Sequence, residues 1–243
     1  MKIKNIIDWI AAESKIVRDL IHQKIYMASE VEKDVVRNFH QLFYNAAHFK
    51  KTWVDTYWLG VPVWKCPFDL WVYQEMIFEQ KPDLIIETGT AHGGSAFFMA
   101  SMCDLVDNGR IVTIDVSDYG KRPPHKRISY LLGSSTSDAI LEKVKSSINK
   151  NDKVLVILDS DHSKRHVLDE LRIYNKFVTE GSYLVVEDTN INGHPVKPTF
   201  GPGPMEAVEE FLKESGDFAV DKSREKFYLT FNPGGYLRKT KRA

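Results

Sequence analysis

Two short stretches, Asp159-Ser160-Asp161-His162 and Glu187-Asp188-Thr189, each follow directly on an apolar run and gather most of the chemistry-bearing residues. Four carboxylates with no Lys or Arg adjacent in sequence repel one another unless a cation lies between them. They are hard oxygen donors of the kind Mg2+ prefers, and Asp161, Glu187 and Asp188 form the expected ligand set. An ion held there would bind an acceptor hydroxyl and lower its pKa, which alkylation of an oxygen requires at neutral pH. Helix caps and solvated strand ends are the competing reading; they account for one such acid more readily than for four. His162 and Asp161 are the candidate catalytic residues, His162 as general base, with His92 and His194 as rival histidines.

A second constellation is Glu87-Thr88-Gly89-Thr90-Ala91-His92-Gly93-Gly94-Ser95, again at the end of an apolar run. Glycines let backbone approach a ligand, and a helix opening at Ser95 offers unpaired N–H groups to an anionic one. Asp115 follows the next apolar run, 21 residues beyond Gly94, where an acid accepts hydrogen bonds from ribose hydroxyls. The glycine spacing is G-x-x-x-G-G and not G-x-G-x-x-G, which argues against a pyrophosphate-bearing dinucleotide. Glu87 suits a ligand with an amine and a sulfonium, such as S-adenosylmethionine. The expected cofactor set is Glu87, Gly89, Thr90, Gly93, Ser95, Asp115, Ser134, Ser135 and Asp159, with Ser134 or Ser135 at the base edge. A tight turn and close helix packing are the alternative explanation for the glycines.

The elements that must position these residues are legible as an alternation. Apolar runs lie at 84–86, 111–114, 128–132, 154–158 and 183–186, and several of them carry apolar residues on successive positions, as strands buried on both faces of a parallel sheet do. Helical patterns lie between most of them, at 95–106, 137–149 and 163–177, and another follows at 205–214. A helix over 69–80 is expected with Asp69 as N-cap. Residues 218–221 and 226–231 read as a terminal hairpin, so the last two strands should run antiparallel. This predicts the seven-stranded, mostly parallel α/β sheet of the Rossmann-like class I methyltransferase fold, with an antiparallel last strand. The first fifty residues read as helical, with no Gly or Pro before Gly60, and residues 52–67 as an ordered aromatic loop. The division expected is an N-terminal helical extension with an aromatic cap over 1–68 and a cofactor-binding domain over 69–243. The basic tail from Arg238 reads as a frayed, solvated terminus.

The chain has 243 residues, with 33 Lys+Arg against 33 Asp+Glu. That balance argues against a protein that coats nucleic acid or an anionic membrane. Its two cysteines, Cys66 and Cys103, lack metal-ligand spacing, and no run approaches a membrane span. A soluble, cytoplasmic protein is expected, since the acidic Asp8 interrupts what a signal peptide needs as an apolar run.

Several blocks together resemble the cephalosporin hydroxylase family, which includes rhamnosyl O-methyltransferases and is similar to macrolide-sugar O-methyltransferases. They are Trp58-Leu59-Gly60-Val61-Pro62, Pro67-Phe68-Asp69-Leu70, the 82–95 glycine block, Asp159-Ser160-Asp161-His162, Val186-Glu187-Asp188-Thr189 and Gly201-Pro202-Gly203-Pro204-Met205-Glu206-Ala207-Val208. The resemblance runs from about Trp58 to about Phe231. It implies a class I methyltransferase fold, S-adenosylmethionine at the glycine loop, a Mg2+ site at Asp161, Glu187 and Asp188, and assemblies of like chains. A non-haem iron hydroxylase would need a two-histidine, one-carboxylate set, and none stands out. The expected function is O-methylation of a hydroxyl on a small molecule or glycoside. A non-catalytic cofactor-binding subunit and a dinucleotide-dependent oxidoreductase are the alternatives.

Overall fold

The computed structural model describes residues 13–20 and 29–240. The chain divides into two compact units, Met1–Leu42 and Phe43–Ala243. In the first, residues 13–20 are helical (α1) and Ser29–Asn45 (α2) begins. The second unit starts earlier than the division at 69 read from sequence, because the aromatic segment packs with the sheet domain.

That segment is more regular than an ordered loop. Tyr57–Trp58 (β1) and Val61–Pro62 (β2) pair antiparallel around Leu59 and Gly60, both at positive φ (47° and 83°). Two successive positive-φ residues make the tight turn whose twist suits a hairpin. The hairpin lies across the start of a helix, Gly94–Leu105 (α4). A Cβ at Gly94 would sit 2.1 Å from the Pro62 carbonyl oxygen, so that position has no room for a side chain. Trp58 packs edge-on to Phe98, with ring centroids 4.9 Å apart, and its indole N–H donates to Ser101 Oγ at 3.0 Å.

Seven strands form the main sheet: Leu84–Thr88 (β3), Arg110–Asp115 (β4), Ile128–Leu132 (β5), Val154–Leu158 (β6), Tyr183–Val186 (β7), Phe218–Val220 (β8) and Tyr236–Lys239 (β9). Their order is β5-β4-β3-β6-β7-β9-β8. The first five strands pair in parallel, and β9 runs antiparallel between β7 and β8. Successive residues of the buried strands serve opposite faces. Leu84, Ile86, Val156 and Leu158 meet Asp138–Ser146 (α5), Lys164–Tyr174 (α6) and Pro204–Glu214 (α7) on one face; Ile85, Leu155 and Ile157 meet Pro67–Gln80 (α3) and α4 on the other.

Three expectations need correction. The last strand is 236–239, not 226–231: Tyr228 has φ 64°, and the Phe231 N–H and Thr230 hydroxyl donate to Asp69. With those donors committed, the alternating Phe227, Leu229 and Phe231 cannot join a ladder. Asp69 is not the N-cap of α3, which is Cys66; its buried carboxylate also accepts from the Tyr236 hydroxyl at 2.9 Å. Arg238 and Lys239 belong to β9, and the Lys239 ammonium donates to the carbonyls of Asn175 and Val178; residues 241–243 lie outside the described residues. Cys66 and Cys103 are buried and unbridged. Among the described residues no helix is long and apolar enough to cross a membrane.

Candidate active site

A cavity of about 530 Å3 opens at the carboxyl ends of β3, β4, β5, β6 and β7, where open parallel sheets bind ligands. The turn after β3 forms one wall. Gly89 has φ 86°, and a Cβ there would lie 1.7 Å from the Asp159 carbonyl oxygen, so the loops after β3 and β6 meet where only glycine fits. Asp115 ties the same loop down. Its Oδ2 accepts from the N–H groups of Thr90 (3.1 Å) and Ala91 (2.8 Å), and its Oδ1 from Ser117 N–H (2.9 Å).

Of the expected cofactor set, Gly89, Thr90, Ser95, Asp115, Ser135 and Asp159 line the cavity, while Glu87, Gly93 and Ser134 do not. Glu87 is 0% exposed beneath the loop, accepting from the hydroxyls of Ser95 and Thr113. Burial pushes its carboxyl up to about 7 against the opposing pull of Lys65 and those two hydrogen bonds. Ser134 Oγ faces Thr136. Gly93 packs toward Pro123 and Tyr130.

The four acids are also sorted by the structure. Asp159, His162 and Asp188 offer donor atoms within 4.8 Å of one another, the one such His/Cys/Asp/Glu group among the described residues. His162 Nε2 lies 3.2 Å from Asp188 Oδ2. The expected ligand set of Asp161, Glu187 and Asp188 is therefore not what the fold brings together. Asp161 lines the cavity but accepts from Ser163 N–H at 2.7 Å, and the Ser163 hydrogen bonds hold its carboxyl below the usual range. Glu187 points inward: its Oε1 accepts from Tyr73 OH at 2.6 Å and from the Lys65 ammonium at 2.5 Å. Asp188, whose backbone turns left-handed (φ 54°) directly after the strand, lines the cavity with its side chain 23% exposed.

Lys65 also lies 2.5 Å from Asp159 Oδ2 and is 3% exposed. Burial opposes its charge, but Asp159 and Glu187 outweigh that and hold its pKa above the ordinary lysine value. Sequence reading missed this cation, which comes from 94 residues before Asp159. Its signal was a lone lysine set among Val63, Trp64, Cys66 and Pro67, a setting in which a lysine is buried and paired.

Other residues also reach the cavity, among them the rival His92. Trp64, His92 and Tyr119 form an aromatic wall, with ring centroids 4.6 and 5.3 Å apart. His166 Nε2 lies 3.1 Å from Ser160 Oγ and 3.3 Å from Ser135 Oγ, and its pairing with Glu170 raises its pKa. The rival His194 is outside the lining and bonds Glu206 Oε1 at 2.9 Å.

Comparison with known proteins fits this geometry. A family model described as Rhamnosyl O-methyltransferase/CmcI matches residues 50–240. A rhamnosyl O-methyltransferase from Mycobacterium tuberculosis is 38% identical over 230 residues, covering 92% of this chain and 91% of that protein. Its Mycobacterium leprae counterpart is 38% identical over 209 residues, covering 84% and 90%. Among solved structures, apo CmcI superposes with a TM-score of 0.61 at 19% identity, covering 78% of each chain. CmcI with Mg and SAM gives 0.60 at 18% identity, covering 77% of this chain and 78% of that one. At those identities the superpositions speak for the fold alone, and the sequence matches for the family. The chain belongs to the rhamnosyl O-methyltransferase/CmcI family of O-methyltransferases.

Proposed function

We propose that the protein transfers the methyl group of S-adenosylmethionine to a sugar hydroxyl of a glycoside, with Mg2+ held by Asp159 and Asp188. One observation carries this reading: Asp159, His162 and Asp188 converge in the cavity walled by the glycine turn and Asp115. The donors fit a hard divalent ion, since two carboxylates face the cavity and leave positions for water and substrate oxygens. The cradle fits the cofactor, because the Gly89 turn and Asp115 both line the cavity and Asp115 Oδ1 keeps a lone pair beside its single amide donor.

When bound, S-adenosylmethionine supplies an electrophilic methyl on a sulfonium and Mg2+ the positive charge that lowers the acceptor hydroxyl's pKa. Thr90, Ser95 and the start of α4 hold the methionine end, Asp115 the ribose, and Ser135 the base edge. His162 takes the acceptor proton, and Asp188 stabilises the imidazolium that results. Trp64, His92 and Tyr119 offer ring faces and edges to the C–H face of a sugar. Holding the acceptor oxygen in line with the methyl supplies much of the rate. The rhamnosyl acceptor named for the mycobacterial relatives makes a deoxyhexoside the acceptor to assay first.

Calorimetry with the purified chain tests the donor. S-adenosylmethionine should bind and NADH should not; NADH binding without S-adenosylmethionine binding would overturn the reading.

A further inference from the structure

Lys65 is a buried charge that this chemistry leaves unused. Its side chain is 3% exposed, and its ammonium lies 2.5 Å from one oxygen of Asp159 and 2.5 Å from one of Glu187. It reaches them from the connection between β2 and α3, which contributes no other charge to the cluster. Tyr73 OH donates to the same Glu187 oxygen. The inner oxygen of Asp159 and the Glu187 carboxylate thus serve an internal cation, whereas Asp188 and His162 face the cavity.

The charges around this point can be counted. With Asp159, Glu187 and Asp188 taken as ionised and His162 as neutral, the three carboxylates carry three negative charges and Lys65 returns one, leaving two; the more distant Glu87 and Lys197 are of opposite sign. Asp161 stands apart, exposed and bound to Ser163. A residual charge of two is what a single divalent cation neutralises. Three facing carboxylates without Lys65 would repel one another in the metal-free protein, and unpaired buried charges are strongly destabilising.

We propose that Lys65 is a positioning residue acting as a resident counter-ion: it draws Asp159 and Glu187 together and restrains the affinity of the Asp159–Asp188 site for divalent cations. This rests on the divalent-ion reading above. Lys65 holds the site intact while the exchangeable ion is absent, and its charge, close to where that ion would sit, keeps binding reversible.

Calorimetric titration with Mg2+ alone, together with thermal melts with and without Mg2+, tests it on the full chain. Wild type should bind Mg2+. Lys65→Met should melt lower without Mg2+, gain more from Mg2+ than wild type does, and bind it about tenfold more tightly. Lys65→Arg keeps the charge and should behave as wild type. If Lys65→Met does not fold, the double variant Lys65→Met/Glu187→Gln carries the test. It restores the residual charge of two, and should fold and bind Mg2+ within about threefold of wild type. Equal or weaker Mg2+ binding by Lys65→Met would overturn the inference, as would a double variant that fails to fold or binds more than about tenfold more weakly. Absence of Mg2+ binding by wild type would instead refute the divalent-ion reading, and the inference with it.

Discussion

Asp159 serves two neighbours at once, the Lys65 ammonium at 2.5 Å on one side and the His162–Asp188 pair on the other. That arrangement explains how much of the site was legible residue by residue. The acids were visible as a group because each follows a strand, but their roles depend on which way each side chain leaves its strand end. Glu187 continues the alternation of β7 and goes inward to Tyr73, while the left-handed turn at Asp188 sends the next carboxylate into the cavity. No spacing rule distinguishes those outcomes. Asp188→Asn should lower Mg2+-dependent turnover by about 100-fold while leaving the fold intact, as kinetics and a thermal melt will show. Away from the site, Glu206 gives a pH signature. Burial raises its carboxyl, but hydrogen bonds from His194, the Gly203 N–H and Asn192 outweigh that and hold it at about 2. A carboxyl with a depressed folded pKa stabilises above its unfolded value and loses that stability as pH falls toward about 2. Glu206→Gln should therefore cost about 2 kcal/mol near neutrality, with the gap to wild type closing below about pH 4.5 in denaturant titrations.

At the scale of elements, the glycine turn after β3 is the piece whose geometry leaves least freedom. Gly89→Ala would drive a methyl into the Asp159 carbonyl, a 1.7 Å contact that neither backbone can relieve without moving the loop. It should abolish S-adenosylmethionine binding and destabilise by more than about 3 kcal/mol. Gly181→Ala is the control, since it shares a positive φ (76°) but meets nothing within 4 Å; it should cost only about 1–2 kcal/mol and leave cofactor binding unchanged. Calorimetry and melts on both variants decide this. β3, β6 and β7 were readable because continuous apolar runs buried on both faces leave few alternatives, whereas the edge strand β5 is half-exposed. The terminal strand was not, because Phe227, Leu229 and Phe231 alternate as a strand would. Tertiary partners override that local pattern: Asp69 captures the backbone and hydroxyl donors at 230–231, and Tyr228 breaks the extension. The hairpin at 57–62 was missed for the opposite reason, as two-residue strands leave almost no periodicity to read.

For the whole molecule, 33 basic and 33 acidic residues give a formal charge of zero, yet the charges are unevenly placed. Asp159, Asp161 and Asp188 all face the cavity, and the internal cation that offsets part of them comes from a distant connection that no local pattern links to the acids. Family membership describes an S-adenosylmethionine-dependent O-methyltransferase, and the convergence of these groups supports the acidic centre proposed for it. The most direct measurement is methyl transfer from labelled S-adenosylmethionine to a rhamnoside acceptor, followed as S-adenosylhomocysteine release and methylated product, with and without excess chelator. Turnover that chelator abolishes, Mg2+ restores and Asp159→Asn eliminates is the predicted result. Undiminished turnover in excess chelator, or in Asp159→Asn, would contradict the account.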